Sequence, residues 1–110
     1  MFKETTEELI SIKIPKYEIE LMDGSHQKWP IFEYALIGSD STCHIQLNLP
    51  NISKRHARLE IKANKLIIQD MRSEDGTYVN SAQIIESVLS DGDLITIGFA
   101  DFVIHDKTKI

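Results

Sequence analysis

LPNISKRHARLEIKANKLIIQDMRSEDGTYVN, residues 49–80, is the stretch from which the fold is read. Its first part, Asn51-Ile52-Ser53-Lys54-Arg55-His56, gathers a hydroxyl, two cations and an imidazole in one short polar turn. Its last part, Ser73 to Asn80, is a second polar turn with Gly76 at the bend. Between them lie two apolar runs, Ala57 to Ile61 and Lys65 to Asp70, joined by Lys62-Ala63-Asn64. A strand rises about 3.3 Å per residue, so two short strands joined by a tight turn bring their far ends together. Both polar turns are therefore expected at one end of a sheet, facing one volume of space. Binding sites made from loops on a rigid scaffold have that geometry.

Composition sets the limits within which that reading holds. A chain of 110 residues suits one domain and can bury roughly two thirds of its unfolded surface. Its apolar content of 42% is that of a globular protein, not a disordered one. Lys and Arg total 12 against 17 for Asp and Glu, a net charge of -5 with a pI near 5.3. This balance argues against nucleic acid or an anionic membrane as the main partner, because both call for a broad basic surface. A local basic cluster still suffices for one small anion. The single Cys43 rules out an internal disulfide and suits a reducing compartment. No run approaches the roughly 18 apolar residues of a membrane span, and the acidic N-terminus lacks the order of a signal peptide. The expectation is a soluble, cytoplasmic protein.

Outside the central stretch the chain keeps one rhythm. Tyr17, Ile19 and Leu21 alternate with Glu18, Glu20 and Met22, the period of a half-buried strand. Asp23-Gly24-Ser25 supplies a turn. Trp29, Ile31 and Phe32 form a further run, which Pro30 confines to a sheet edge or a bulge. Ala35-Leu36-Ile37 leads into Gly38, and Ile45-Gln46-Leu47 is another brief strand. Beyond Tyr78-Val79, the pairs Ile84-Ile85 and Val88-Leu89 are apolar, and Ser90-Asp91-Gly92-Asp93 marks a turn. Leu94, Ile95 and Ile97, then Phe102-Val103-Ile104, complete the pattern. Short β-branched runs with turn residues about every 8 to 12 positions indicate an all-β sandwich.

The order of these motifs resembles the forkhead-associated (FHA) domain. The residues that carry the resemblance are Ile37-Gly38, Ile45-Gln46-Leu47, Ser53 with His56, Asp75-Gly76-Thr77 with Asn80, and Leu89 through Asp91-Gly92-Asp93 to Ile97-Gly98. It extends over roughly residues 17–104. It implies a β-sandwich of two sheets and about eleven strands, with ligand loops at one end. It also implies a non-enzymatic protein-interaction module that recognises phosphothreonine peptides in signalling, without metal or cofactor. The expected layout is a tail over residues 1–14, the domain over 15–105, and a C-terminal tail or linker start over 106–110.

Phosphate carries nearly two negative charges and three strong acceptors, so its site wants backbone N–H groups, hydroxyls and a cation. By the resemblance, Ser53 donates its hydroxyl to phosphate, although a serine here can equally cap the turn. His56 braces the loop, Gly38 and Gly76 fit turns where backbone must pass close or take positive φ, and Thr77 and Asn80 pin the second loop, with Thr77 near the ligand. Two positions depart from the family pattern. Ser39 stands where the family has an arginine for the phosphate, and Asp75 stands where it has an asparagine for the ligand main chain. A serine brings no charge, and a carboxylate loses the amide donors and repels phosphate. Lys54 and Arg55 are placed to supply charge, or are simply solvated. The alternative reading is a domain that keeps the scaffold and binds protein independently of phosphate.

Other chemistries fit less well. His26, His44, His56 and His105 lack metal-ligand spacing. Cys43 and His44 are neighbours in an extended run, so their side chains diverge and Cys43 is expected in the core. The tail holds Thr5 and Thr6 among acidic residues, as possible phosphorylation sites. In this it is similar to bacterial FHA regulators whose phosphorylated tail folds onto their own site, so the partner is a phosphothreonine segment of another protein or of the chain itself.

Overall fold

Alternation of period two is what separates the two faces of each sheet. In the computed structural model, which describes residues 14–109, strand β1 (Tyr17–Leu21) buries Tyr17, Ile19 and Leu21 and turns Glu18 and Glu20 the other way. Strands β5 (Ala57–Lys62) and β6 (Lys65–Asp70) do the same with Ala57, Leu59, Leu66 and Ile68. Between them Ala63 and Asn64 both take positive φ, 49° and 67°. That two-residue turn has the twist a hairpin needs. The remaining strands are β2 (Lys28–Ile31), β3 (Tyr34–Gly38), β4 (Ile45–Gln46), β7 (Thr77–Val79), β8 (Ala82–Ile84), β9 (Glu86–Leu89), β10 (Leu94–Ile97) and β11 (Ala100–Asp106).

The eleven strands form two sheets, ordered β2-β1-β11-β10-β7-β8 and β4-β3-β5-β6-β9. This is the two-sheet, all-β sandwich that the sequence led one to expect. Every ladder is antiparallel except the two-residue pairing of β3 with β4. The core lies between the sheets, where Ile19, Ile37, Leu59, Ile68, Ile95 and Phe102 are fully buried. Each such side chain contributes about 1.5–3 kcal/mol relative to exposure. Pro30 sits on β2, an edge strand, where its missing N–H leaves no ladder partner unmet. No helix among the described residues is long and apolar enough to cross a membrane.

Not every residue of the apolar runs is buried: Phe32 is 49% and Val88 54% exposed. Ile84 and Ile85 do not form a single buried pair: Ile85 is 82% exposed. The chain crosses there from the six-stranded sheet, through β8, to the five-stranded sheet, through β9. Alternation stops where the backbone changes layer.

Two features position the functional end. The β5–β6 register pairs Ala57 with Asp70, and the Met71 N–H donates to the His56 carbonyl at 2.9 Å, so both polar turns emerge side by side. Gly38 ends β3 directly against the first of them. A Cβ there would lie 2.1 Å from the Lys54 carbonyl oxygen and 3.0 Å from the Cys43 sulfur. No side chain fits that gap. Gly38→Ala is expected to destabilise the domain by about 1–3 kcal/mol, read from urea unfolding midpoints; an unchanged midpoint would mean that the two segments stand further apart.

Candidate functional site

His56 is fully buried at the start of β5, and both ring nitrogens are engaged. Nδ1 accepts the Ser53 N–H at 3.1 Å, and Nε2 lies 2.8 Å from the Gly76 carbonyl oxygen. A nitrogen that accepts a backbone N–H carries no proton, so the ring is the neutral tautomer that donates from Nε2 to Gly76. The main chain of His56 adds two more ties, its N–H to the Ile37 carbonyl at 2.8 Å and its carbonyl to Met71. One residue thus joins the end of β3, the Ser53 turn and the Gly76 turn.

Ser53 is the point where three loops meet. Its N–H is held by His56, its carbonyl accepts the Ser39 N–H at 3.1 Å, and its Oγ accepts the Glu74 N–H at 3.0 Å. The adjoining pair, Asp40 N–H to Lys54 carbonyl at 3.2 Å, continues that zipper. The Ser53 hydroxyl proton has no acceptor among the described residues, so it is free to donate to a ligand.

The second turn is held from inside by Asp70, which the sequence reading passed over as the end of a strand. Asp70 Oδ1 accepts the hydroxyls of Ser73 at 2.5 Å and Thr77 at 2.7 Å, while Oδ2 accepts the Ser73 N–H at 3.1 Å. The Ser73 hydroxyl in turn accepts the Gly76 N–H at 2.9 Å. Burial acts to raise the Asp70 carboxyl, but the hydrogen bonds from Ser73 and Thr77 outweigh it and hold the group below its ordinary value. The available signal was an Asp and a Ser three residues apart across a turn, the local side chain-to-backbone pattern that competes with strand.

Several expected residues take other places. Thr77, expected to pin the second turn near the ligand, ties that turn through its hydroxyl to Asp70 but is fully buried. It points inward because strand alternation puts Thr77 and Val79 on the core face of β7. Asn80, expected to pin the second turn, bonds Asp93 Oδ1 at 3.0 Å and the Leu94 N–H at 3.0 Å, and so ties the β7–β8 turn to the β9–β10 turn. Gly76 takes φ +89° and packs against Gln83. Cys43 is buried in the core, with its sulfur 3.2 Å from the Lys54 carbonyl. Thr5 and Thr6 lie outside the described residues.

Asn51, Ile52, Ser53, Glu74 and Asp75 line one hollow of about 330 Å³. Lys54 and Arg55 follow Ser53 in the sequence, are exposed, are not among the residues lining the hollow, and make no ion pair among the described residues. Their charges are felt across the next loop, at Asp40. The Thr42 hydroxyl and N–H depress that carboxyl, with smaller help from Arg55 and Lys54. Ser39 reaches the site through its backbone and lies half-buried beside Ser53. A larger hollow of about 590 Å³, lined by Ile14, Phe32, Tyr34 and Ile61 among others, lies away from these loops. The arrangement at Ser53 offers a free hydroxyl proton and two nearby cations, which suits an anion. Among the described residues no group of His, Cys, Asp and Glu is arranged to hold a metal.

Comparison with known proteins agrees with the fold. The FHA domain family profile matches residues 35–98. The chain is 29% identical over 88 residues to the FHA domain-containing protein FhaA of Mycobacterium tuberculosis, covering 79% of this chain and 17% of FhaA. It is 39% identical over 77 residues to mouse proliferation marker protein Ki-67, covering 68% of this chain and 2% of that protein. A solved domain from work on phosphothreonine-dependent FHA domain interactions superposes with a TM-score of 0.78 at 28% identity, over 81% of this chain and 94% of that one. The chain therefore spans a small part of the curated relatives it matches.

A depressed carboxyl contributes stability that is present above its unfolded value and is lost as the pH falls through its folded value. For Asp70 that window lies below about pH 3.9. The amide resonances of Ser73 and Gly76 are expected to titrate together with a midpoint below that value, and Asp70→Asn to abolish the titration. A midpoint at or above about 3.9 would contradict the hydrogen-bond account.

Proposed function

The chain belongs to the FHA domain family, and on that premise we propose that it is a protein-interaction module whose Ser53 site, within a domain over residues 15–105, binds phosphothreonine-containing segments of partner proteins. The observation that carries this reading is the state of Ser53. Its oxygen accepts the Glu74 N–H, its proton has no acceptor among the described residues, and Lys54 and Arg55 follow it in the sequence, unpaired among the described residues. A phosphoryl group accepts from a hydroxyl and gains from nearby cations without forming any covalent bond. The reading is one of binding: His56 is buried, with both nitrogens held by backbone, and so is not available as a base.

Affinity is tempered by two residues. Ser39 supplies a hydroxyl in place of a guanidinium, and Asp75 brings a carboxylate to the wall of the hollow. A charge-assisted hydrogen bond is worth about 1.5–3 kcal/mol, so the missing arginine alone accounts for a loss of about tenfold or more. The same two residues favour a second reading, a domain that binds protein without phosphate.

Titration of labelled phosphothreonine peptides beside their unphosphorylated twins separates the two readings. Phosphorylated peptides are expected to bind tighter, with Ser53→Ala weakening them about tenfold and Ser39→Arg tightening them about tenfold. Asp75→Asn should act in the same direction as Ser39→Arg. Equal affinity for both peptide forms, unmoved by these changes, would leave the phosphate-independent reading.

A further inference from the structure

The hollow of about 590 Å³ lies where the chain enters β1 and where β5 ends. Ile14 and Lys16 reach it from before β1, Phe32 and Tyr34 from the link between β2 and β3, and Ile61 and Asn64 from the end of β5. Its walls are held in place. The Ile61 N–H donates to the Glu33 carbonyl at 2.9 Å, and the Lys16 ammonium to the Asn64 carbonyl at 3.4 Å. The Tyr34 and His44 rings meet edge to face with centroids 5.5 Å apart, and the Arg58 guanidinium lies 5.9 Å from the Tyr34 ring centre. Single exposed apolar side chains are ordinary on a protein surface, and Ile85 and Phe99 are exposed as well. Here, by contrast, three exposed ones, Ile14, Phe32 and Tyr34, converge on one hollow with Ile61, which packs against the core. Pockets of about 300–1,000 Å³ are the size that takes a ligand-sized apolar group.

The chain itself supplies an occupant. Ile14 is the first described residue and lines the hollow, and the residues before it read Leu9-Ile10-Ser11-Ile12-Lys13. We infer that this segment, which lies outside the described residues, docks in the hollow and lays Ile10 and Ile12 against Phe32, Tyr34 and Ile61. Successive side chains of an extended run alternate, so Ile10 and Ile12 share the side of Ile14, which is already there. Desolvation sets how far the contact extends. Glu7 and Glu8 would lose water in an apolar seat without gaining a partner, so the docked part begins at Leu9. The segment has no linker to cross, and tethering raises its local concentration to about the millimolar range. A contact too weak to hold a free peptide, which bears the full cost of association, then suffices. The hollow lies away from the Ser53 loops, so this docking is independent of what those loops bind.

The test uses the full chain, isotopically labelled for nuclear magnetic resonance. Cross-relaxation is expected between the Ile10 and Ile12 methyls and the ring protons of Phe32 and Tyr34, which only direct contact allows. In the Ile10→Asp, Ile12→Asp double variant, whose changes lie before β1, the Phe32 and Tyr34 ring resonances should shift while the Ser53, Lys54 and Glu74 amides stay in place. In Tyr34→Ser, amide exchange at Ile10 and Ile12 should quicken by about tenfold. Absence of the methyl–ring contacts in the unaltered chain would overturn the inference, whatever the variants do. So would exchange at Ile10 and Ile12 that Tyr34→Ser leaves unchanged. A sample mixing two differently labelled populations separates the sources: contacts found only between chains would overturn docking within one chain and assign the hollow to a second copy.

Discussion

The functional end of this molecule depends on the two hydrogen bonds of one buried imidazole. His56 accepts from Ser53 and donates to Gly76, so two turns some twenty residues apart in sequence share a bracket that excludes water. An unmet buried polar group costs about 1–3 kcal/mol, so removing the ring exposes backbone groups on both turns to that penalty at once. The arrangement also takes His56 itself out of acid–base chemistry. An imidazole whose two nitrogens face backbone has neither the access nor the free lone pair of a general base. The surface above it is left to Ser53 and its neighbours.

Around that bracket the polar groups divide into two shells of different character. Asp70, Ser73 and Thr77 form an inner set in which every donor meets an acceptor, and they hold the second turn against β6 and β7. Lys54, Arg55, Glu74 and Asp75 form an outer set of exposed charges with no ion pairs among the described residues. The inner set ties the loops together, and the outer set is what they present to solvent. Such ties matter because a ligand then meets groups already in place and does not have to order them. Glu20, by contrast, is paired with His105 at 2.7 Å.

Much of the fold was legible because alternation is a strong signal wherever one strand face is buried. The runs 17–21, 57–62, 65–70 and 94–97 all follow it. It failed at Ile84-Ile85, since a change of sheet leaves no mark in the hydropathy pattern. At the site, the meeting of the Ser53 and Gly76 turns followed from strand length and a tight hairpin. Thr77 was harder: its motif suggested the ligand, while its position on β7 placed it in the interior. Asn80 lies one residue beyond β7, at the far end of a short strand, so nearness in sequence misled about nearness in space. Asp70 was missed because its partners lie both three and seven residues on, and only the folded turn brings them together.

The central claim is that the loops joined through Ser53 act as one anion site. The most direct measurement follows backbone amide shifts while a phosphothreonine peptide is titrated into the labelled protein. The account requires Ser39 and Asp40, Ser53 and Lys54, and Glu74 to Gly76 to move together in one saturable transition. Shifts confined to one of these loops, or gathered around Phe32, Tyr34 and Ile61 at the larger hollow, would contradict it.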